Sequence, residues 1–243
     1  MSFKVPLYII EDVNDLVSLP SESHTKATFL SSIILGGQDG LVNVLGVILG
    51  VAVATEQIRI ILAAGLAATF AESISMAAVA YTSKMAEKDH YNAELKREKK
   101  EIEEVPEVET QEIRDIYKAK GFSGKLLEEI TAHITKNKEI WLATMMREEL
   151  GLYPINKKDV IISSIVVGSS ALLGSFIPLI PFFFLSVKTG ITVSLVVSAS
   201  TLFFVGVYKG KTTVGRPMRS GVELAAIGMG AAIIGYGIGL LFK

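Results

Sequence analysis

The chain reads as an all-α integral membrane protein, with five transmembrane helices and a helical cytosolic domain between spans two and three. Three observations predict this. Half of the 243 residues are hydrophobic and the mean hydropathy is +0.45, more apolar than an ordinary soluble domain. The apolar residues gather into five long runs nearly free of charge. Each is long enough for the ~20 residues that a helix needs to cross a bilayer. One polar block, residues 84–158, separates the second run from the third and holds 15 basic and 16 acidic residues.

Residues 1–26 come first. They are mixed in charge, contain IEDVND and have no continuous apolar stretch, so they do not read as a secretory signal. They are assigned to the cytosol, and span one is expected to be retained. Spans one and two, within residues 27–83, cover about Ala27–Ala54 and Ile58–Ser83. Spans three, four and five, within residues 159–243, cover about Val160–Leu185, Gly190–Tyr208 and Ser220–Phe242.

Charge sets the orientation. The N-terminal segment carries 2 lysines and arginines, the polar block 15 and the link Lys209–Arg219 4, all on one side; the other side has only Arg59, Lys188 and Lys243. Long loops count little in the positive-inside rule, yet the short segments alone still favour the same side. The N-terminus and the polar block are therefore expected in the cytosol and the C-terminus outside. The net charge of −1 gives no basic footprint for nucleic acid. The absence of cysteine excludes disulfides, thiolate zinc sites and iron–sulfur clusters.

The polar block has helical periodicity. The second span runs on through KMAEKDHYNAELKREKKEIEE without a breaker until Pro106. Pro106 suits the first turn of a new helix, with Glu107 and Glu109 near its positive end. That helix is expected to reach about Lys120 and stop at Gly121. Leu126, Leu127, Ile130 and Ile134 mark a third helix. Asn137 can cap a fourth, KEIWLATMMREEL, ending at Gly151.

Seven glutamates fall within residues 97–112. Glu98 and Glu101 share a face of the extended second helix, and Glu109 and Glu112 repeat the spacing on the next. Met145 and Glu149 lie four apart on the last helix, with Met146 beside them. Carboxylates alone suit magnesium, calcium or manganese, and added thioethers bias a site towards softer ions such as iron(II). On spacing alone, KREKKEIEE is better read as a solvated face and the methionine pair as core. His90 and His133 read as surface or capping residues.

Two carboxylates lie inside spans. Asp39 is about 18 Å in from Ala27 along an ideal helix, Glu72 about 17 Å in from Ser83, and Met76 roughly 10 Å in. The spans are antiparallel, so Asp39 and Glu72 are expected at one level. A carboxylate at such depth costs a few kcal/mol on insertion scales and usually faces a pathway or a partner. The acidic cluster then reads as the mouth of a cation pathway through Met76, Glu72 and Asp39. Gly36, Gly40, Gly46 and Gly50 form small-xxx-small pairs suited to close helix contact. A dimer through span one would add a second wall, and Gly235 and Gly239 offer a competing surface in span five.

From Ser31 to the C-terminus the chain resembles the vacuolar iron transporter family of plants, fungi and prokaryotic relatives. The segments that carry the resemblance are GGQDGLVNVLGVILGVA, AESISMAAVAYTSKMAEKDHY, KREKKEIEEVP, MMREELGL, GSFIPLIPFF and VYKGKTTVGRP. It implies a five-span homodimer that exchanges iron(II), often manganese(II) too, for protons, moving metal out of the cytosol. It implies that the block is a metal-binding domain whose ligands are Glu98, Glu101, Glu109, Glu112, Met145, Met146 and Glu149, with Asp39 and Met76 of both subunits in the pathway. The chain departs from plant members at one place. Their pathway glutamate, two turns before the methionine, is Ala68 here, and the carboxylate is Glu72, one turn before Met76.

Metal is then cargo, no cofactor is required, and these ligand types also accept zinc(II) and cobalt(II). The membrane would be the plasma membrane in a prokaryote and the vacuolar membrane in a eukaryote. Two rivals remain. A di-iron carboxylate enzyme needs two Glu-x-x-His motifs, and the block has one, Glu87 with His90. A membrane-anchored acidic module that binds metal or a partner without transport leaves Asp39 and Glu72 unexplained.

Overall fold

The computed structural model describes residues 22–243, with side chains from Phe29 onward except those of residues 213 and 214. Most of the N-terminal segment, residues 1–21, lies outside the described residues. Helix α1 is Glu22–Thr55, α2 Ile58–Glu104, α3 Pro106–Ala119, α4 Gly124–Thr135 and α5 Lys138–Thr144, the last prolonged by a π-helical turn, Met145–Glu149. Helix α6 is Lys157–Leu179, α7 Pro181–Phe184, α8 Val187–Lys209 with a second π-helical turn, Gly210–Val214, and α9 Pro217–Leu241. No strand occurs among the described residues. The chain forms two compact units, Lys84–Asn156 and a bundle of Ser23–Ser83 with Lys157–Lys243.

Among the described residues, five helices are long and apolar enough to cross a membrane. Their packing rests on glycine. A Cβ on Gly36 would stand 2.2 Å from the Val167 carbonyl oxygen, one on Gly40 2.2 Å from that of Ala171, and one on Gly174 2.1 Å from that of Gly37. On another side of α1, a Cβ on Gly235 would meet the Gly46 carbonyl at 2.3 Å and one on Gly239 that of Gly50 at 2.2 Å. Only glycine permits such backbone approach. The small-residue pairs of span one are thus occupied inside the protomer, against α6 and α9, and so is the Gly235 and Gly239 surface. Val44, Ile48, Ala52, Ile61, Leu179 and Phe182 fill the core beneath them.

Span three, expected unbroken to Leu185, breaks after Leu179. Pro181 opens the short α7, because a proline without an N–H fits a first turn but not a helix interior. Lys243 pairs with Glu56 at 3.2 Å. The end of the chain therefore lies beside the α1–α2 link.

In the polar unit, α2 ends at Glu104 and Pro106 opens α3, with Glu107 and Glu109 in its first turn. Gly121, at φ 95°, ends the helix. The Asn137 side-chain oxygen accepts from the amides of Glu139 at 2.9 Å and Ile140 at 3.4 Å, capping α5 as its sequence position indicates. Leu127 and Ile134 of α4 are buried, but Leu126 is 53% exposed and lies off the core face. Ile102, Ile113, Ile134, Trp141 and Met145 form the core.

Candidate metal sites

In the polar unit the acidic residues stand on a common apolar layer. Ile102, Ile113 and Met145 pack together. Glu98 and Glu109 each precede one of these residues by four positions, and Glu149 follows Met145 by four. One helical turn from the layer, therefore, three elements each present a glutamate. Glu98 and Glu109 are almost wholly buried, at 2% and 4% exposure. One carboxylate oxygen of each has no hydrogen-bond partner among the described residues.

Electrostatics ties this set together. Burial, then the charges of Glu112, Glu98, Glu101 and Glu149, push the Glu109 carboxyl up to about 7. Glu149 is exposed as a residue, yet desolvation of its carboxyl on the protein side, followed by repulsion from Glu112 and Glu98, also brings it to about 7. Burial and Glu101 raise Glu98 as well, against the pull of Arg97. Arg97 is the cation within this group, 2.7 Å from Glu94, 3.1 Å from Glu98 and 3.8 Å from Glu101. Five glutamates share one field with Arg97, and such a charge excess favours protons or a divalent cation. Among the described residues no three Asp, Glu or His side chains converge tightly enough to form a metal cluster.

The methionines behave differently. Met145 is fully buried in the core and Met146 is 2% exposed, so at least Met145 serves packing. Both open the π-helical turn, where the Leu150 amide donates to the Met145 carbonyl at 3.2 Å and the Leu152 amide to that of Met146 at 2.8 Å. Such wide turns are rare and recur at functional sites. No residue type in MMREE announces one. His90 and His133 are both exposed.

In the bundle, Asp39 and Glu72 meet. The Glu72 side chain interacts with those of Asp39 and Asn43, and the Asn43 amide donates to the Asp39 carboxylate at 3.3 Å. Asp39, Glu72 and Met76 are all half-buried and Asn43 is exposed, so the cluster lies at the bundle's lateral surface. Ala68 instead packs against the apolar core. The sequence reading omits Glu223, a further carboxylate within an apolar span. It is exposed on α9, one turn beyond Arg219, and was visible in the run SGVELAA.

This arrangement, two carboxylates paired within apolar helices and a separate helical unit rich in glutamate, has relatives. A sequence profile of the VIT family matches residues 30–240. The chain belongs to the VIT family. Vacuolar iron transporter 1 of Oryza sativa subsp. japonica is 34% identical over 90% of this chain and 87% of its own length. Vacuolar iron transporter 1 of Arabidopsis thaliana is 35% identical over 86% and 84%. The vacuolar iron transporter of Toxoplasma gondii is 31% identical over 92% and 77%. Family membership and five membrane-length helices make this a multi-pass membrane protein.

Proposed function

We propose that the protein is a divalent-metal transporter that moves iron(II), and manganese(II) with it, out of the cytosol in exchange for protons. The observation that carries this reading is the pairing of Asp39 with Glu72 inside apolar helices. Ionisable groups at that depth are costly and mark ion pathways. The acidic residues of the polar unit collect the metal. Met76, Glu72 and Asp39 pass it through the membrane, and protons from the far side displace it. The same carboxylates accept either a cation or a proton, which couples the two fluxes.

A homodimer through span one completes the pathway. Leu35, Asp39, Asn43 and Val47 follow one another at four-residue steps along α1 and remain at least partly exposed. A polar side chain facing lipid is unfavourable. A second copy over this stripe removes that exposure and brings a second pair of carboxylates to it.

The test is iron(II) uptake into liposomes holding the purified protein, with and without an acid-inside gradient, for wild type, Asp39→Ala and Glu72→Ala. Gradient-stimulated uptake that the alanine variants lose is the expected result. Intact uptake in the double variant would overturn the pathway. No uptake of any divalent ion by folded, inserted protein would favour the non-transporting acidic module.

A further inference from the structure

A second feature of the bundle is not lined by Asp39, Glu72 or Met76. An apolar cavity of about 470 Å³ opens between α1, α6 and α8, lined by Leu30 and Leu41, Leu173 and Ile177, and Thr201 and Tyr208 among others. From Leu30 to Leu41 it runs eleven residues of α1, about 16 Å along the helix, close to the ~15 Å of hydrocarbon in one bilayer leaflet. Its length and apolar lining suit an extended acyl chain.

One end of the groove leads into a basic link. Tyr208 lines it there, an aromatic residue of the kind that settles at membrane interfaces. Lys209 follows directly, and Lys211, Arg216 and Arg219 complete the short link to α9. None of the four forms an ion pair with another described residue. An apolar slot one leaflet deep, continued by a basic link without ion pairs among the described residues, matches an anionic lipid in both parts. Basic residues at such a position attract acidic headgroups.

We propose that this groove is a binding site for an anionic glycerophospholipid, with one acyl chain between α1, α6 and α8 and the phosphate at Lys209 and Lys211. The experiment is native mass spectrometry of the full chain in detergent, titrated with dioleoyl phosphatidylglycerol or dioleoyl phosphatidylcholine. Wild type is expected to retain the anionic lipid about thirtyfold more tightly, in keeping with two cations near one headgroup. The double variant Lys209→Ala, Lys211→Ala is expected to hold the two lipids equally. Ser170→Phe, which fills the groove, is expected to weaken both. Equal retention of both lipids by wild type, or an undiminished preference in the lysine variant, overturns the proposal. So does a Ser170→Phe protein that binds lipid normally but loses a dimer, because a second copy would then occupy the groove. Should Ser170→Phe fail to fold, the surface lysine variant decides alone.

Discussion

In the bundle, α1 meets α6 and α9 backbone to backbone, through Gly36, Gly40 and Gly174 on one side and Gly50, Gly235 and Gly239 on the other. In the polar unit the helices meet through side chains, Ile102, Ile113, Ile134, Trp141 and Met145. The carboxylates follow the same division. Asp39 and Glu72 sit at the lateral surface of the bundle, whereas Glu98 and Glu109 are buried over an apolar layer. Lipid is as apolar as leucine, so membrane helices gain nothing from a greasy seam and associate by close approach. In water the apolar seam is itself the driving force, and glutamates can be held above it.

The largest expected effect tests the glycine seams. Gly174→Leu places a side chain against the Gly37 backbone and should abolish recovery of folded, monodisperse protein. A normal elution profile would show that the seam yields. Next comes Glu72→Gln against Glu98→Gln. The first should stop iron(II) uptake in liposomes; the second should raise the metal concentration needed for half-maximal uptake while leaving the maximum nearly intact. Loss of the maximum in both would erase the distinction between pathway and collecting site.

Ile113→Ala should cost the polar unit about 2–5 kcal/mol, seen as faster amide exchange in α3–α5 with the bundle unchanged. Glu109→Gln sharpens the electrostatic side. A carboxyl raised to about 7 in the folded unit binds its proton where an ordinary one near 4.3 has lost it. The folded state therefore holds more protons between those values, and stability from this group is complete at low pH and lost as pH rises towards 7. Exchange protection of the polar unit should fall from pH 5 to pH 8 in wild type and less steeply in Glu109→Gln. Metal binding should show the opposite trend, because its ligands must deprotonate. The smallest effect is Asn137→Ala, a lost cap worth about 1 kcal/mol and confined to α5.

Much of this was legible in the sequence where a residue has a local consequence. Pro106 ends one helix and begins another, Asn137 caps, and counting 1.5 Å per residue set Asp39 opposite Glu72. Facing was not legible. The membrane helices are apolar on all sides, and a helix apolar all round carries no stripe from which its partner can be read. So the sequence shows that α1 carries glycine pairs but not that α6 and α9 use them. The π-helical turn at Met145–Glu149 was equally hidden, since no residue type in MMREE announces one. In the acidic cluster spacing showed which glutamates share a face. It did not show that Glu98 and Glu109 turn inward, which depends on Ile102 and Ile113 one turn away.

The glycine seams also bear on motion. Side chains at an ordinary helix joint can change rotamer and let one helix roll over another. At Gly36, Gly46 and Gly50 the opposing surface is main chain held by its own helical hydrogen bonds, and at Gly40 it is main chain with the Ser175 hydroxyl. Helix α1 is gripped this way on two sides, by α6 and by α9. It can neither roll nor slide without breaking both grips at once. These seams therefore favour movement of α1, α6 and α9 together rather than separately.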